Sequence, residues 1–270
     1  MFKAVVSDLD GTLLNAEHKV SEFTRETVKL LLQKGIKFYI ATGRNYLGAK
    51  EAMDELGVKI PLITSHGSAA FDENGNEIFS NRLKREYLDK VLNIDYKAFG
   101  KDIIITGYSG PNWFVTEDLR EYFYNKKPDR TRYPKQITPG EFKKHDFAKI
   151  FFLGEDHDEL LELENEIKRV VGEENISLLF ANEGSLEVFP ADCNKAKAAE
   201  VVLERDGLTL KDAVSFGDGL NDYELITETG LGFAMGNSIY LLLEKLTDTE
   251  VIESNAEDGM AKKLRELFNL

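Results

Sequence analysis

Residues 2–14 read "FKAVVSDLDGTLL". An apolar run of strand character ends in Asp8 and Asp10, with a single leucine between them, and then in Gly-Thr. A carboxylate beside a hydrophobic core is costly unless something compensates its charge. The pair therefore marks the end of a buried strand at which charge is required.

Strand and helix signals alternate from there. "SEFTRETVKLLLQKG" (21–35) has the periodicity of a helix, with Ser21 as its N-cap and Gly35 as its stop. "IKFYIATG" (36–43) is a second strand run, "YLGAKEAMDELG" (46–57) a second helix and "IPLITS" (60–65) a third strand. "AAFDENGNEIFS" (69–80) carries an Asn74-Gly75 hairpin signal. Such alternation predicts a doubly wound parallel α/β sheet covered by helices on both faces.

The pattern changes between about 84 and 189, where aromatics and turns are frequent and strand runs predominate. It resumes from about 190 with "KAKAAEVVLERDG", "DAVSFGDG" and "NDYELITETG". The organisation predicted is one α/β core in two segments, 1–83 and 190–270, interrupted by an α+β cap over 84–189. The cap's first helix is expected over 84–99 and its second over 157–172.

In a parallel sheet, ligands bind beyond the carboxyl ends of the strands. Four short motifs fall at such ends: "DLDGT" (8–12), "ATGR" (41–44), "SHGS" (65–68) and "GDGLND" (217–222). Together they offer the carboxylates Asp8, Asp10 and Asp218, with Asp222 at the next helix start. They also offer neutral donors at Thr42, Gly43 and Asn221. Clustered carboxylates suit a hard cation such as Mg²⁺, whose shell a substrate phosphate often completes. An EF-hand starting at Asp8 fails, because its glycine position holds Leu13 and its bidentate glutamate position holds Lys19.

These motifs, in this order and over essentially the whole chain, resemble the haloacid dehalogenase-like superfamily, and within it the Cof-type phosphatases with a large inserted cap. The lysine of "DCNKAKA" (192–198) and the terminal "NAEDGMAKKL" (255–264) belong to the same resemblance. It implies a role for each residue. Asp8 is the nucleophile on phosphorus. Asp10 protonates the leaving oxygen and then activates water. Asp8, the backbone carbonyl of Asp10 and Asp218 hold Mg²⁺, with Asp222 supporting them. Thr42, the Gly43 amide, Lys195 and Asn221 hold the phosphoryl group. By its surroundings alone, Lys195 reads as a solvated lysine at a helix start.

Three positions depart from the family pattern or stand close to it. His66 replaces an asparagine and is expected to fill a turn, Ala196 follows Lys195 in place of glycine, and Cys193 is expected to be inert. Gly11 is expected to turn the chain, and Thr12 to hydrogen-bond locally and hold Asp10. In an extended chain Asp8 and Asp10 point the same way, so both are expected to face one pocket. The resemblance makes the cap the source of substrate selectivity, with Tyr108, Asn112, Trp113 and Arg132 as candidates. Trp113 reads equally as cap core.

The formal charge of −14, from 48 acidic and 34 basic residues, argues against nucleic acid and anionic membranes as partners. One cysteine allows no internal disulfide, and the N-terminus lacks a signal peptide, so a cytoplasmic protein is expected. The function expected is a Mg²⁺-dependent phosphatase of small phosphorylated metabolites, sugar phosphates first among them, acting as a monomer or small homo-oligomer. The alternatives are a phosphotransferase or phosphomutase using the same aspartate, and a non-catalytic regulator that binds phosphometabolites.

Overall fold

The computed structural model describes residues 2–110, 112–119 and 133–270. Arg132 lies outside them. Contacts divide the chain into two units, one holding residues up to Phe79 together with Asn194–Leu270, the other Ser80–Cys193.

The first unit is built on an eight-stranded sheet. Its strands are β1 (Ala4–Ser7), β2 (Lys37–Ala41), β3 (Leu62–Thr64), β4 (Ala69–Phe71), β5 (Glu77–Ser80), β12 (Ala213–Gly217), β13 (Leu231–Ala234) and β14 (Glu250–Val251). They lie in the order β14-β13-β12-β1-β2-β3-β4-β5. All pairings from β14 to β3 are parallel, and β4 runs antiparallel to β3. The strand β1 is central, with Ser7 in register with Ile40 of β2 and Phe216 of β12. The chain leaves β1 toward β2 and β3, and returns much later on its other side. The order therefore reverses beside β1, and a crevice opens beyond its carboxyl end. Asp8 is the next residue.

Apolar cores cover both faces of this sheet, one around Val5, Val28, Phe38 and Leu264, the other around Val6, Tyr39, Ala199 and Leu203. Helix Glu22–Gln33 begins as expected, the Ser21 side chain accepting the Thr24 N–H. Asp258 ties the same helix start to the terminal motif by accepting hydrogen bonds from Ser21 and Thr24.

The second unit is an antiparallel-rich sheet in the order β10-β11-β9-β6-β7-β8. These strands are β6 (Ile104–Ser109), β7 (Asn112–Val115), β8 (Lys135–Gln136), β9 (Lys149–Leu153), β10 (Ile176–Asn182) and β11 (Ser185–Pro190). Helices Arg85–Leu92 and His157–Val171 pack on one face through Leu88, Val91, Leu160, Leu163 and Ile167, against Ile105, Ile150, Phe152 and Val188. The opposite face carries a smaller cluster with Trp113, Val115, Phe151 and Tyr108. The helix expected over 84–99 ends at Leu92, and a separate turn follows at Tyr96–Ala98.

Among the described residues, no helix is long and apolar enough to cross a membrane.

Candidate active site

The backbone after β1 makes one wide turn, closed by the Leu14 N–H donating to the Leu9 carbonyl at 2.9 Å. Leu9, Leu13 and Leu14 are buried and anchor the turn in the core. Gly11 adopts φ +77°, and a Cβ there would lie 2.2 Å from an Asp218 oxygen. Glycine is thus required both by the turn and by the approach of the β12 loop.

Three carboxylates converge beyond the strand ends. Oxygens of Asp8, Asp218 and Asp222 lie within 4.8 Å of one another. Lys195, the first residue of helix Lys195–Glu204, is 1% exposed and sits among them. Its Nζ donates to Asp8 Oδ1 at 2.5 Å and to Asp222 Oδ1 at 2.6 Å. The solvated reading of Lys195 is therefore replaced by a fully buried cation. Burial alone pushes an ammonium toward neutrality, but Asp222 and Asp8 outweigh it and hold Lys195 above its usual range.

The carboxylates carry the complementary strain. Burial pushes the Asp8 carboxyl well up, and repulsion from Asp222 and Asp218 adds to this against the pull of Lys195. Asp218 is raised to about 6, chiefly by burial and then by Asp222. Both oxygens of Asp222 are engaged within the fold. Its Oδ1 takes Lys195, and its Oδ2 accepts the Asp218 and Gly219 N–H groups at 3.0 Å each. Asp222 shapes the loop that presents Asp218.

Three carboxylates against one ammonium leave an excess of negative charge in a mostly buried place. The donor set is all oxygen, which suits a hard divalent cation. The raised carboxyls fix a sign. A carboxyl whose folded pKa exceeds its unfolded value destabilises the fold once pH rises through that window. Without metal, the cost of ionising Asp218 builds from its ordinary value of 3.8 up to about 6 and is carried in full above that. A divalent cation held by this cluster should therefore raise the melting temperature more at about pH 8 than at about pH 5. Thermal unfolding with and without Mg²⁺ at both pH values checks this, and an equal shift would remove the cluster as the metal site.

Asp10 is partnered differently. It is not one of the three carboxylates whose oxygens gather within 4.8 Å of one another. Its oxygens accept two hydrogen bonds from Arg44, at 2.7 Å from Nε and 2.5 Å from Nη2. Thr12 does not hold Asp10; its Oγ1 donates to Asp218 Oδ1 at 2.9 Å. Arg44 is a site residue that sequence reasoning passed over. Its signal was available, because an arginine directly after a strand-end Thr-Gly is well placed to clamp a carboxylate with both prongs.

The remaining strand-end loops connect around the site. Thr42 is buried, and its Oγ1 accepts the Arg44 N–H at 3.1 Å. The loop after β3 is stitched to it, His66 N–H donating to the Thr42 carbonyl and Ser65 N–H to the Arg44 carbonyl. His66 is buried against Gly43, where a Cβ would come 2.4 Å from the imidazole. Its Nδ1 lies 3.0 Å from the Asn221 amide nitrogen. The expected turn filler is thus a bridge between two site loops. Cys193 is buried and lies in the other unit.

Of the cap candidates, Trp113 is 9% exposed, donates from Nε1 to Thr106 Oγ1 and packs on Tyr108 and Phe151, which makes it part of the minor core. Tyr108 is half-buried beside it, and Asn112 is exposed.

Comparisons with known proteins give the family of the chain. The sequence profile of the haloacid dehalogenase-like hydrolases matches residues 5–264. A protein of Buchnera aphidicola subsp. Baizongia pistaciae, provisionally named a phosphatase, is 36% identical over 99% of both chains. The HMP-PP phosphatase of Yersinia pestis (strain Pestoides F) is 29% identical over 98% of this chain and 94% of that one. The crystal structure of a haloacid dehalogenase-like hydrolase from Bacteroides thetaiotaomicron superposes with a TM-score of 0.84 at 26% identity, covering 99% of this chain and 100% of that one. A subclass IIB sugar phosphatase shares the fold, with a TM-score of 0.80 at 22% identity over 99% of this chain and 100% of that one. With its strand-end carboxylates gathered around a buried lysine, the chain belongs to the haloacid dehalogenase-like hydrolase family.

Proposed function

We propose that the protein is a Mg²⁺-dependent phosphatase of small phosphorylated metabolites, with sugar phosphates as the first class to test, working through a phosphorylated Asp8. The observation that carries this reading is the burial of Lys195 between Asp8 and Asp222, inside a group of three carboxylates. A cation so placed is suited to the oxygens of a transferring phosphoryl group, whose stabilisation is most of what such a reaction requires.

In this mechanism an Asp8 oxygen attacks phosphorus and the bond to the leaving oxygen breaks, giving an acyl phosphate. Asp10 gives its proton to the leaving oxygen. It then takes a proton from the water that attacks phospho-Asp8, releasing inorganic phosphate and restoring both carboxyl groups. Lys195, Thr42, the Gly43 amide and Asn221 hold the phosphoryl oxygens throughout. Asp8, Asp218 and the backbone carbonyl of Asp10 are the residues that would hold Mg²⁺, with Asp222 fixing the Asp218 loop. When bound, the cation supplies positive charge that offsets the repulsion between Asp8 and an anionic substrate. Because Arg44 binds the Asp10 carboxylate, that ion pair must open before Asp10 can act as an acid. Selectivity would come from the cap unit, with Tyr108 and Trp113 the first residues to vary.

The test is inorganic phosphate release from a panel of hexose and pentose phosphates, with HMP-PP included because of the Yersinia relative. Turnover is expected with Mg²⁺, with no acceptor other than water, and is expected to vanish in excess chelator. Full turnover in chelator would remove the metal from the mechanism. No phosphate release from any member would overturn the phosphatase reading.

A further inference from the structure

The loop after β3 carries an unusual backbone. Ser65, His66 and Gly67 take φ of +51°, +57° and +91° in succession. Gly67 is required there, since a Cβ would lie 2.2 Å from the Asn194 carbonyl oxygen. Ser65 and His66 have no such freedom, and two adjacent left-handed side-chain-bearing residues persist only where their surroundings hold them. Backbone hydrogen bonds to Arg44 and Thr42, at 2.8 and 3.1 Å, do so.

This conformation places the imidazole of His66, 5% exposed, flat against Gly43 and within reach of Asn221. One polar contact marks the orientation of the Asn221 amide, its nitrogen facing His66 Nδ1 at 3.0 Å. With the amide N–H as donor, Nδ1 is the acceptor, so the neutral ring carries its proton on Nε2. An amide nitrogen has two hydrogens. One goes to His66 and one remains to meet an anion.

The two ends of a carboxamide are nearly alike in shape and opposite in charge. Presented to a phosphoryl oxygen, the NH₂ end binds and the carbonyl end repels. Shape alone cannot choose between them, whereas an acceptor fixed beside one end can. We propose that His66 is a positioning residue of the phosphoryl site, locking the Asn221 amide with its NH₂ rather than its carbonyl available to the transferring group. The proposal rests on the reading of Asn221 as a phosphoryl ligand.

Inorganic phosphate, measured as an inhibitor of p-nitrophenyl phosphate hydrolysis, is the probe. His66→Gly removes the ring and keeps the left-handed backbone at least steric cost. It should raise the phosphate inhibition constant roughly ten- to hundredfold, the range of one hydrogen bond to an anion. Asn221→Ala should do the same. The double variant should lose no more than Asn221→Ala alone, because His66 acts only through that amide. Additive losses would overturn the proposal. So would a normal phosphate constant in His66→Gly beside a weakened one in Asn221→Ala, an outcome that leaves the proposed function intact. If Asn221→Ala binds phosphate normally, Asn221 leaves the site and the role of His66 falls with it, while turnover by the native enzyme still decides the function separately. A readout independent of any variant is the ¹⁵N spectrum of the native imidazole. The Nε2–H tautomer is expected, and an Nδ1–H tautomer would overturn the proposal.

Discussion

Asp8→Asn should abolish turnover while leaving the fold at least as stable as the native protein without metal. Loss of a nucleophile that works as part of a unit costs on the order of 10⁴–10⁶-fold in rate. An amide cannot form the acyl phosphate, so no phosphorylated protein should accumulate with any substrate. The stability half follows from the charges. Asp8 is buried, and both Asp222 and Asp218 push against its ionised form. Removing its charge relieves repulsion within a group whose oxygens lie within 4.8 Å of one another. Breaking a buried ion pair normally destabilises strongly, because it strands the partner. Here Lys195 is not stranded. It keeps Asp222 at 2.6 Å, and the carbonyl of the substituted amide can still accept its hydrogen bond. Relief of the burial penalty first, and of repulsion with it, should therefore outweigh the lost pull of Lys195, and the melting temperature without metal should hold or rise. Functional sites commonly carry such a conflict between stability and activity. Intact-mass spectrometry after rapid quenching, with thermal unfolding of the same sample, reads both halves. A phosphorylated Asp8→Asn protein would remove Asp8 as the nucleophile. A large fall in melting temperature would show that the Lys195–Asp8 pair contributes net stability.

The sequence showed where charge gathers more clearly than how it is partnered. Asp8 was legible because an apolar strand ends on it, and Asp218 because "GDGLND" follows a second such strand. Strand type and parallel order follow from local apolar runs and their alternation with helices, and those signals are dense in the core segments. Partnerships across the chain leave no local trace. Lys195 looks solvated in a lysine- and alanine-rich helix start, yet its partners lie 187 and 27 residues away. Thr12 was expected to bond nearby and instead meets Asp218, 206 residues on. Asp10 was legible as a second carboxylate, but its partner Arg44 lies 34 residues away. His66 was obscured for a related reason. A histidine before a glycine reads as a turn, and only the packing of Gly43 and Asn221 around it reveals a buried bridge. In the second unit, β-rich runs identified strands well, but the order β10-β11-β9-β6-β7-β8 depends on long-range pairing that no local pattern encodes.

Asp10→Asn should separate substrates by their leaving groups. A sugar alkoxide is a poor leaving group and depends on protonation as the bond to phosphorus breaks; nitrophenolate scarcely needs it. General acid–base assistance is typically worth about 10²–10⁴-fold. The phosphorylation step with sugar phosphates should fall by that order in Asp10→Asn, while the same step with p-nitrophenyl phosphate should fall far less. Dephosphorylation has no leaving-group escape, since the same carboxylate activates water. Phospho-Asp8 should therefore accumulate with p-nitrophenyl phosphate, after a burst of nitrophenolate. Unfolding cannot mimic this result. The Asp10–Arg44 pair is 44% and 31% exposed at its two side chains, and an exposed ion pair contributes only about 0–1 kcal/mol. Its loss should leave the melting temperature nearly unchanged. The pair nevertheless has a kinetic meaning. While the guanidinium engages both Asp10 oxygens, neither is free to carry a proton to the leaving group. Arg44→Met should thus leave the phosphorylation step with a small aryl phosphate least affected, because that step scarcely needs the acid. Rapid-quench measurement of phospho-enzyme with both substrate types decides the matter. Equal damage to the phosphorylation step for both leaving groups would refute the acid role of Asp10, and rapid turnover of phospho-Asp8 in Asp10→Asn would refute its role as the base.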